Sequence, residues 1–247
     1  LSAHRIDIVR SLRKAIAEQD RHRLVRFTRA DIFLAGIGAQ WHPLDEVTLS
    51  VDGAYGRTVY TNRDMSLPDW NNQEGWYVAG KAEYSLDFGT PALMAWYASG
   101  DNRGKMKNSG QLPSIFGDFD GTSTFFDGAW GIFGGNKCTI GGSWGVSLQL
   151  NDLSFVEDLK HSLSVTYFAG TNSKWNGSYG DGYDYMTTGD SGVEFNILTE
   201  YDIYKNLTAA VEMAYIIKDF DRSIEHGRDG SDYKNDWRAA LHFKYTF

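Results

Sequence analysis

The chain has 247 residues, of which 42% are hydrophobic and 15% aromatic, and its formal net charge is −8 at pH 7. This acidic balance argues against nucleic-acid binding, which needs a basic surface. No run of about 18 apolar residues occurs, so the sequence predicts no transmembrane helix, and the single Cys138 excludes an intramolecular disulfide.

Residues 1–30 differ in composition from the rest of the chain. They contain no glycine, a single aromatic residue and many arginines. Apolar Ile6, Val9, Leu12 and Ile16 recur at spacings of three and four residues, which predicts a basic amphipathic helix. We therefore treat 1–30 as a segment distinct from 31–247.

From Asp31 onward, apolar and polar residues alternate with a period of two, which indicates β-strands. The alternation predicts nine strands, at residues 31–41, 46–60, 75–86, 91–98, 142–151, 160–169, 191–202, 206–217 and 236–247. Strand 91–98 is apolar on both faces, so we expect it to pack against protein on both sides, for example under a loop or at a subunit contact.

The last predicted strand has the clearest alternation. One face is apolar throughout, and its residues are Trp237, Ala239, Leu241, Phe243, Tyr245 and Phe247. The other face carries Arg238, His242 and Lys244. An exposed apolar edge strand would make a soluble protein prone to aggregation, whereas one lipid-facing side and one water-facing side are typical of a transmembrane β-barrel.

The connections between the predicted strands alternate in length. Short ones occur near His42–Asp45, Asp87–Thr90, Asn151–Leu159 and Tyr204–Asn206, and long ones fill 61–74, 99–141, 170–190 and 218–235. Short turns on one rim and long loops on the other are typical of outer-membrane barrels, in which the short rim is periplasmic.

The fold class predicted is therefore all-β: an antiparallel transmembrane β-barrel with about nine or ten strands in this chain and a short N-terminal helix. Single-chain bacterial barrels normally have an even number of strands. We expect either a tenth strand at Thr122–Ile132, or that the chain is the C-terminal part of a barrel of about sixteen strands.

Several segments carry a resemblance to a known family. They are Gly75–Asp101, Gly141–Leu148, Leu163–Asn172 and Glu200–Leu207. Together they resemble the C-terminal portion of the outer-membrane homotrimeric porins of sulfate-reducing, desulfovibrio-type bacteria. A terminal strand ending in Phe247 also resembles the closing-strand signal of outer-membrane insertion. The resemblance implies a general diffusion channel in the cell outer membrane of a Gram-negative bacterium, assembled as a homotrimer.

The barrel interpretation divides the strand residues between two environments. The charged residues expected to line the pore are Asp52, Arg57, Lys81, Glu83, Glu194, Glu200, Asp202, Glu212, Arg238, His242 and Lys244. The residues expected to face the membrane are Trp76, Val78, Tyr84, Trp144, Leu148, Val211, Trp237, Leu241, Phe243 and Phe247. Connection 99–141 is the best candidate for folding inward to narrow the pore, or it packs on neighbouring loops.

No pattern of catalytic or metal-ligating residues stands out. His161 and Ser162 are adjacent on a strand and so point to opposite faces. The acidic loop clusters lack a full calcium-loop pattern. We expect no enzyme activity, no cofactor and no bound metal. The expected partners are outer-membrane lipid, small hydrophilic solutes or ions, and further copies of the chain.

Two other interpretations remain open at this stage. The first is a small closed outer-membrane barrel of about ten strands, with an adhesin or hydrolase function on its long loops; it requires contact between strands 31–41 and 236–247. The second is a soluble all-β binding domain, which predicts that other protein covers the face of Trp76, Val78 and Leu86.

Overall fold

The computed structural model describes residues 29–61, 72–101, 109–113, 142–174, 186–221 and 234–246. In these residues the protein is all-β, with nine strands in one antiparallel sheet whose spatial order follows the chain order. The strands are β1 (Arg29–Leu44), β2 (Val47–Thr61), β3 (Gln73–Tyr84), β4 (Thr90–Ala98), β5 (Ser143–Val156), β6 (Leu159–Gly170), β7 (Ser191–Tyr204), β8 (Leu207–Asp219) and β9 (Asp236–Tyr245).

All nine predicted strands are confirmed, with differences at their ends. β1 begins at Arg29, inside the segment assigned to a helix, and the remainder of that predicted helix lies outside the described residues. β5 continues to Val156 instead of ending near 151. The register shifts near Leu153, and Asp152 has a positive φ of 53°. Such bulges interrupt the alternation that marks a strand in the sequence.

Burial alternates along the strands because successive side chains point to opposite faces. In β8 the side chains of Met213 and Ile217 are 50% and 43% exposed, whereas Ala214 and Ile216 are 6% and 0% exposed. β4 behaves in the same way although both of its faces are apolar: Trp96 is buried and its neighbour Tyr97 is exposed. Described protein covers only one face of β4, so the expectation that β4 also packs on its other face, for example at a subunit contact, stays a prediction.

The predicted alternation of short and long connections is also confirmed. Three of the short connections are two-residue turns, at 45–46, 157–158 and 205–206, and the fourth spans 85–89. The long connections join β2 to β3, β4 to β5, β6 to β7 and β8 to β9. Because every strand pairing is antiparallel, all short turns connect the strands at one end of the sheet, and all long connections join them at the opposite end.

The sheet is not closed across the described strands. β1 pairs only with β2, β9 pairs only with β8, and these two strands make no contact with each other. Eight successive antiparallel pairings also make β1 and β9 run in the same direction. The contact that the small closed barrel requires is thus missing here, and the tenth-strand candidate Thr122–Ile132 lies outside the described residues. In the described ranges, no helix is long and apolar enough to cross a membrane.

Candidate functional site: the two faces of the sheet

A row of mostly polar side chains crosses all nine strands on one face of the sheet. Each residue is the direct register partner of the next, in the order Gln40, Ser50, Lys81, Met94, Ser147, Thr166, Glu194, Ile216 and Asp236. We call the face that bears this row the polar face. Seven of its nine members are polar or charged, so groups that carry charge or form hydrogen bonds occur across the whole sheet.

The next row along the strands lies on the opposite face and contains no polar residue other than the hydroxyl-bearing Tyr215. Its members, again in register, are Trp41, Leu49, Ala82, Leu93, Leu148, Val165, Phe195, Tyr215 and Trp237. We call this side the apolar face. The side chains of Leu148 and Trp237 are 63% and 73% exposed, so described protein does not cover them.

Aromatic side chains gather towards both ends of the apolar face. On the side of the long connections, Trp76 stacks on Tyr97 with ring centroids 5.2 Å apart, and Trp144 contacts Tyr167 at 5.5 Å. On the side of the short turns, Phe88 stacks on Phe155 at 6.1 Å. The apolar rows between them form a band bordered by aromatic rings.

The register separates the predicted site residues between the two faces of the sheet. On the polar face lie Asp52, Lys81, Glu83, Glu194, Glu200, Asp202, Glu212, Arg238, His242 and Lys244. On the apolar face lie Trp76, Val78, Tyr84, Trp144, Leu148, Val211, Trp237, Leu241 and Phe243. Phe247 is outside the described residues.

Arg57 is the exception, because the register separates it from the other charged residues expected to line a pore. It lies five positions after Asp52 in an unbroken register, so it shares the apolar face with Tyr55. Its guanidinium is 3.9 Å from the carboxylate of Glu74, to which the Tyr55 hydroxyl donates a 2.8 Å hydrogen bond. Arg57 lies near the end of β2, beyond the apolar band, where a charged side chain on this face can reach water.

Several charged groups of the polar face are held by a polar partner. Lys81 contacts Glu83 on its own strand at 2.7 Å, and Arg238 of β9 donates to Glu212 of β8 at 3.1 Å. The Tyr77 hydroxyl donates to Asp52. Most of these groups are partly exposed, so each pair contributes little to stability but fixes where its charges lie.

In the middle of the sheet, polar and aromatic side chains on the polar face are buried. The hydroxyls of Ser147 and Thr166 are 2.7 Å apart, and both residues are fully buried. Trp96 lies over Gly145, where a Cβ would collide with the indole ring. Its indole N–H donates to Ser143 at 3.2 Å. This part of the polar face is a packed core.

One described piece of the β4–β5 connection lies against the polar face. Residues 109–113 pass over Gly56 and Gly75, which are register partners on β2 and β3. A Cβ on Gly75 would collide with the backbone of Gln111 and Leu112. Two facing glycines therefore allow the connection to approach the sheet more closely than any other residue type would.

Asn172 ties several long connections together at that end of the sheet. Its side-chain oxygen accepts hydrogen bonds from the Asp101 backbone N–H at 2.8 Å and from the Gln111 amide at 2.9 Å. Its side-chain nitrogen donates to the Met186 carbonyl at 2.7 Å. Because Asn172 is fully buried, these bonds fix the positions of the β4–β5 and β6–β7 connections relative to one another.

Asp190 and Lys174 extend this network. The Asp190 carboxylate accepts hydrogen bonds from the backbone N–H groups of Thr187 and Asp221. The Lys174 ammonium donates to the Asp221 carboxylate at 2.6 Å, and this hydrogen bond raises the pKa of Lys174 above its ordinary value.

Sequence reasoning missed the roles of Asn172 and Asp190 and the position of residues 109–113 on the polar face. Asn172 and Asp190 accept hydrogen bonds from residues 71 and 31 positions away along the chain, and no local spacing in the sequence indicates such contacts. The Gly56–Gly75 pairing could have been found by aligning the two predicted strands.

The described residues contain no group of three side chains suited to hold a metal ion. Comparisons with protein-family models, with curated proteins and with solved structures find no match for this chain.

Proposed function

We propose that this sheet is part of the wall of an outer-membrane porin, through which small hydrophilic solutes or ions diffuse passively. The observation that carries the proposal is the pair of adjacent nine-strand rows, one polar and one apolar and exposed. A soluble sheet would bury the apolar row in a core or expose a patch prone to association. Lipid would satisfy the exposed apolar row, whereas on the polar face the buried middle of the row packs against protein and the exposed charged residues towards the strand ends would face water.

The dimensions of the apolar face support a membrane environment. On β8 the apolar-face residues run from Leu207 to Ile217, which is about 34 Å along an antiparallel strand. A strand tilted by the usual 35–45° would present a band roughly 24–28 Å tall, close to the approximately 25 Å of outer-membrane barrels. The aromatic rings at both ends of the band correspond to the girdles expected at the two lipid–water interfaces.

The polar face supports passive transport of solutes or ions without a catalysed reaction. Charged side chains at Asp52, Lys81 and Glu200 would be costly inside a dry core, but they remain solvated on the wall of a water-filled channel. Fixed charges on such a wall bias which ions pass. We therefore propose a transport role in which no bond is made or broken.

The position of residues 109–113 supports the proposal that the channel is narrowed at one level. The segment lies on the polar face and is held by Gln111 through Asn172. A connection folded onto the wall reduces the open cross-section at that level, as proposed for 99–141 from the sequence.

The directions of the two edge strands determine how many further strands a closed barrel would need. β1 and β9 run in the same direction, so closure of an antiparallel barrel needs an odd number of further strands between them. We propose that such strands complete the wall. The resemblance to homotrimeric porins further supports a trimer in the outer membrane.

The test is a planar-bilayer recording of the full-length protein, including the strands that complete the wall, purified in detergent. We expect stepwise, persistent conductance that scales with salt concentration, because water-filled channels conduct in proportion to the ions they contain. A heat-unfolded sample is the matched control. Folded protein that inserts into bilayers and never conducts would contradict the proposal, as would protein that stays monodisperse without detergent, which the soluble-domain interpretation predicts.

A further inference from the structure

The described piece of the β4–β5 connection is fastened at one end through its backbone. The Ser109 N–H donates to the Asn72 carbonyl at 2.8 Å, and the Ser109 carbonyl accepts from the Glu74 N–H at 2.9 Å. The Gly110 carbonyl accepts from the Ser99 hydroxyl at 2.8 Å. These bonds attach the segment to the start of β3 and to the residue that follows β4.

The next residue, Gln111, reaches a different connection. Its side-chain amide donates at 2.9 Å to Asn172, which lies two positions past the end of β6. The Asn172 carboxamide forms four hydrogen bonds, to Gln111, Asp101, Met186 and Gly142. A carboxamide has two donors and two acceptor sites, so Asn172 uses its full hydrogen-bonding capacity here.

The space around Asn172 holds its side chain in one position. Asn172 is fully buried. A Cβ on Gly142 would collide with the Asn172 carboxamide, and a Cβ on Gly100 would collide with the Thr171 carbonyl. Gly142 also has a positive φ of 80°, which glycine adopts without strain. The carboxamide therefore cannot move unless the surrounding backbone moves with it.

The β6–β7 connection holds Asn172 from its other side. The Thr188 N–H donates to the Asn172 backbone carbonyl at 2.8 Å. Thr187 donates to the Asp190 carboxylate through its N–H at 2.7 Å and through its hydroxyl at 2.8 Å. A continuous path of covalent and hydrogen bonds thus runs from Thr187 through Asn172 to Gln111.

We propose that Asn172 is a positioning residue, which couples residues 109–113 to the β6–β7 connection and so sets how far this segment narrows the channel. In the described part of the chain, one side-chain bond ties Gln111 to Asn172, whereas the Asn172 carboxamide has three further partners. The position of Gln111 therefore follows that of Asn172. The effect on the channel rests on the proposed function, but the coupling between the two connections does not.

Hydrogen exchange tests the coupling in the full-length protein in detergent micelles. The probe is the Ser109 amide, whose bond to Asn72 opens when the segment moves. Gln111→Met keeps a side chain of similar length and removes the direct bond to Asn172. It should speed exchange at Ser109 about five- to ten-fold, the effect of losing one buried hydrogen bond.

Thr187→Val tests the distant end of the path. It keeps the shape of the side chain and removes the hydroxyl that bonds Asp190. A coupled network should speed exchange at Ser109 by about two-fold or more, because part of the loosening passes through Asn172. Asp190→Asn, which weakens the same contact, replaces this variant if Thr187→Val does not fold.

Two matched controls lie on the polar face away from the segment. Thr166→Val removes another fully buried threonine hydroxyl, 2.7 Å from that of Ser147. Gln149→Met removes an amide that donates to Ser147 at 3.3 Å. Both variants should leave exchange at Ser109 at the wild-type rate.

Planar-bilayer recordings of the same variants test the consequence for transport. Gln111→Met and Thr187→Val should add excursions to a second conductance level, because the segment leaves its position on the polar face part of the time. The two controls should keep the wild-type recordings.

The results separate this inference from the proposed function. Wild-type exchange at Ser109 in folded Gln111→Met, or in the folded variant of the Thr187–Asp190 contact, overturns the coupling. Equal acceleration in Thr166→Val also overturns it, since it would show general loosening. Accelerated exchange with unchanged recordings overturns the role of Asn172 in the channel. The expected exchange pattern in a protein that never conducts contradicts the proposed function and supports the coupling.

Discussion

Glycine at position 75 sets how closely the β4–β5 connection approaches the polar face. The backbone of Gln111 and Leu112 occupies the space that a Cβ at this position would need. Gly80, on the same strand but on the apolar face, has its nearest obstacle 3.8 Å away, at the Ser50 carbonyl oxygen. The two glycines therefore form a matched pair for substitution.

Gly75→Ala should displace residues 109–113 from the polar face because backbone cannot move aside as a flexible side chain can. Overpacking of this kind costs about 1–3 kcal/mol of unfolding free energy. If the segment narrows a pore, single-channel conductance should also rise. Gly80→Ala should change neither quantity. Equal conductance and equal urea-unfolding midpoints for the two variants would contradict the assigned position of the segment.

Arg57 shows at the residue scale that charge alone does not identify a face. The sequence interpretation placed it on the pore wall because it is charged and lies in a strand. Its odd spacing from Asp52 puts it on the apolar face beside Tyr55. The position of a residue along the strand decides whether a charge on that face lies in the apolar band or beyond it.

At the scale of single strands, β8 separates the two environments most cleanly. Its apolar face presents Val211, Met213 and Tyr215, each between 44% and 50% exposed. Its polar face has small or paired residues at Ala210 and Glu212. A charge introduced on either face therefore reports what that face contacts.

Met213→Lys should lower the unfolding free energy in lipid vesicles by about 2–4 kcal/mol, because a lysine near the middle of a lipid-facing band loses its hydration. Ala210→Lys, on the polar face of the same strand, should change it by less than about 0.5 kcal/mol. Urea titration followed by tryptophan fluorescence measures both. A tolerated Met213→Lys would show that Met213 faces water.

The strands were predictable because period-two alternation is a local property of the sequence. β8 and β9 were found with nearly correct bounds for that reason. β5 was predicted too short because its bulges near Leu153 break the period. The hydrogen bonds that Asn172 accepts from Asp101 and Gln111 join residues 71 and 61 positions apart, and they form only when the sheet brings the connections together.

At the scale of the whole molecule, the open edges of the sheet and its apolar face both indicate what the proposed wall must contact. Among the described strands β1 pairs with β2 alone and β9 with β8 alone, and in lipid the outer edge of a sheet must be satisfied by further strand pairing. The apolar face is continuous from Trp41 on β1 to Trp237 on β9. The proposed wall therefore requires lipid along one side and neighbouring strands at both ends.

The claim that one face meets lipid and the other meets water can be tested by a spin-label scan along β8. Single cysteines would replace residues 207–219 in turn, in a Cys138→Ser background reconstituted into vesicles. We predict that collision with oxygen peaks at Val211, Met213, Tyr215 and Ile217, and that collision with a water-soluble nickel chelate peaks at Thr208, Ala210 and Glu212. Equal access of the nickel chelate to both sets of positions would contradict the claim.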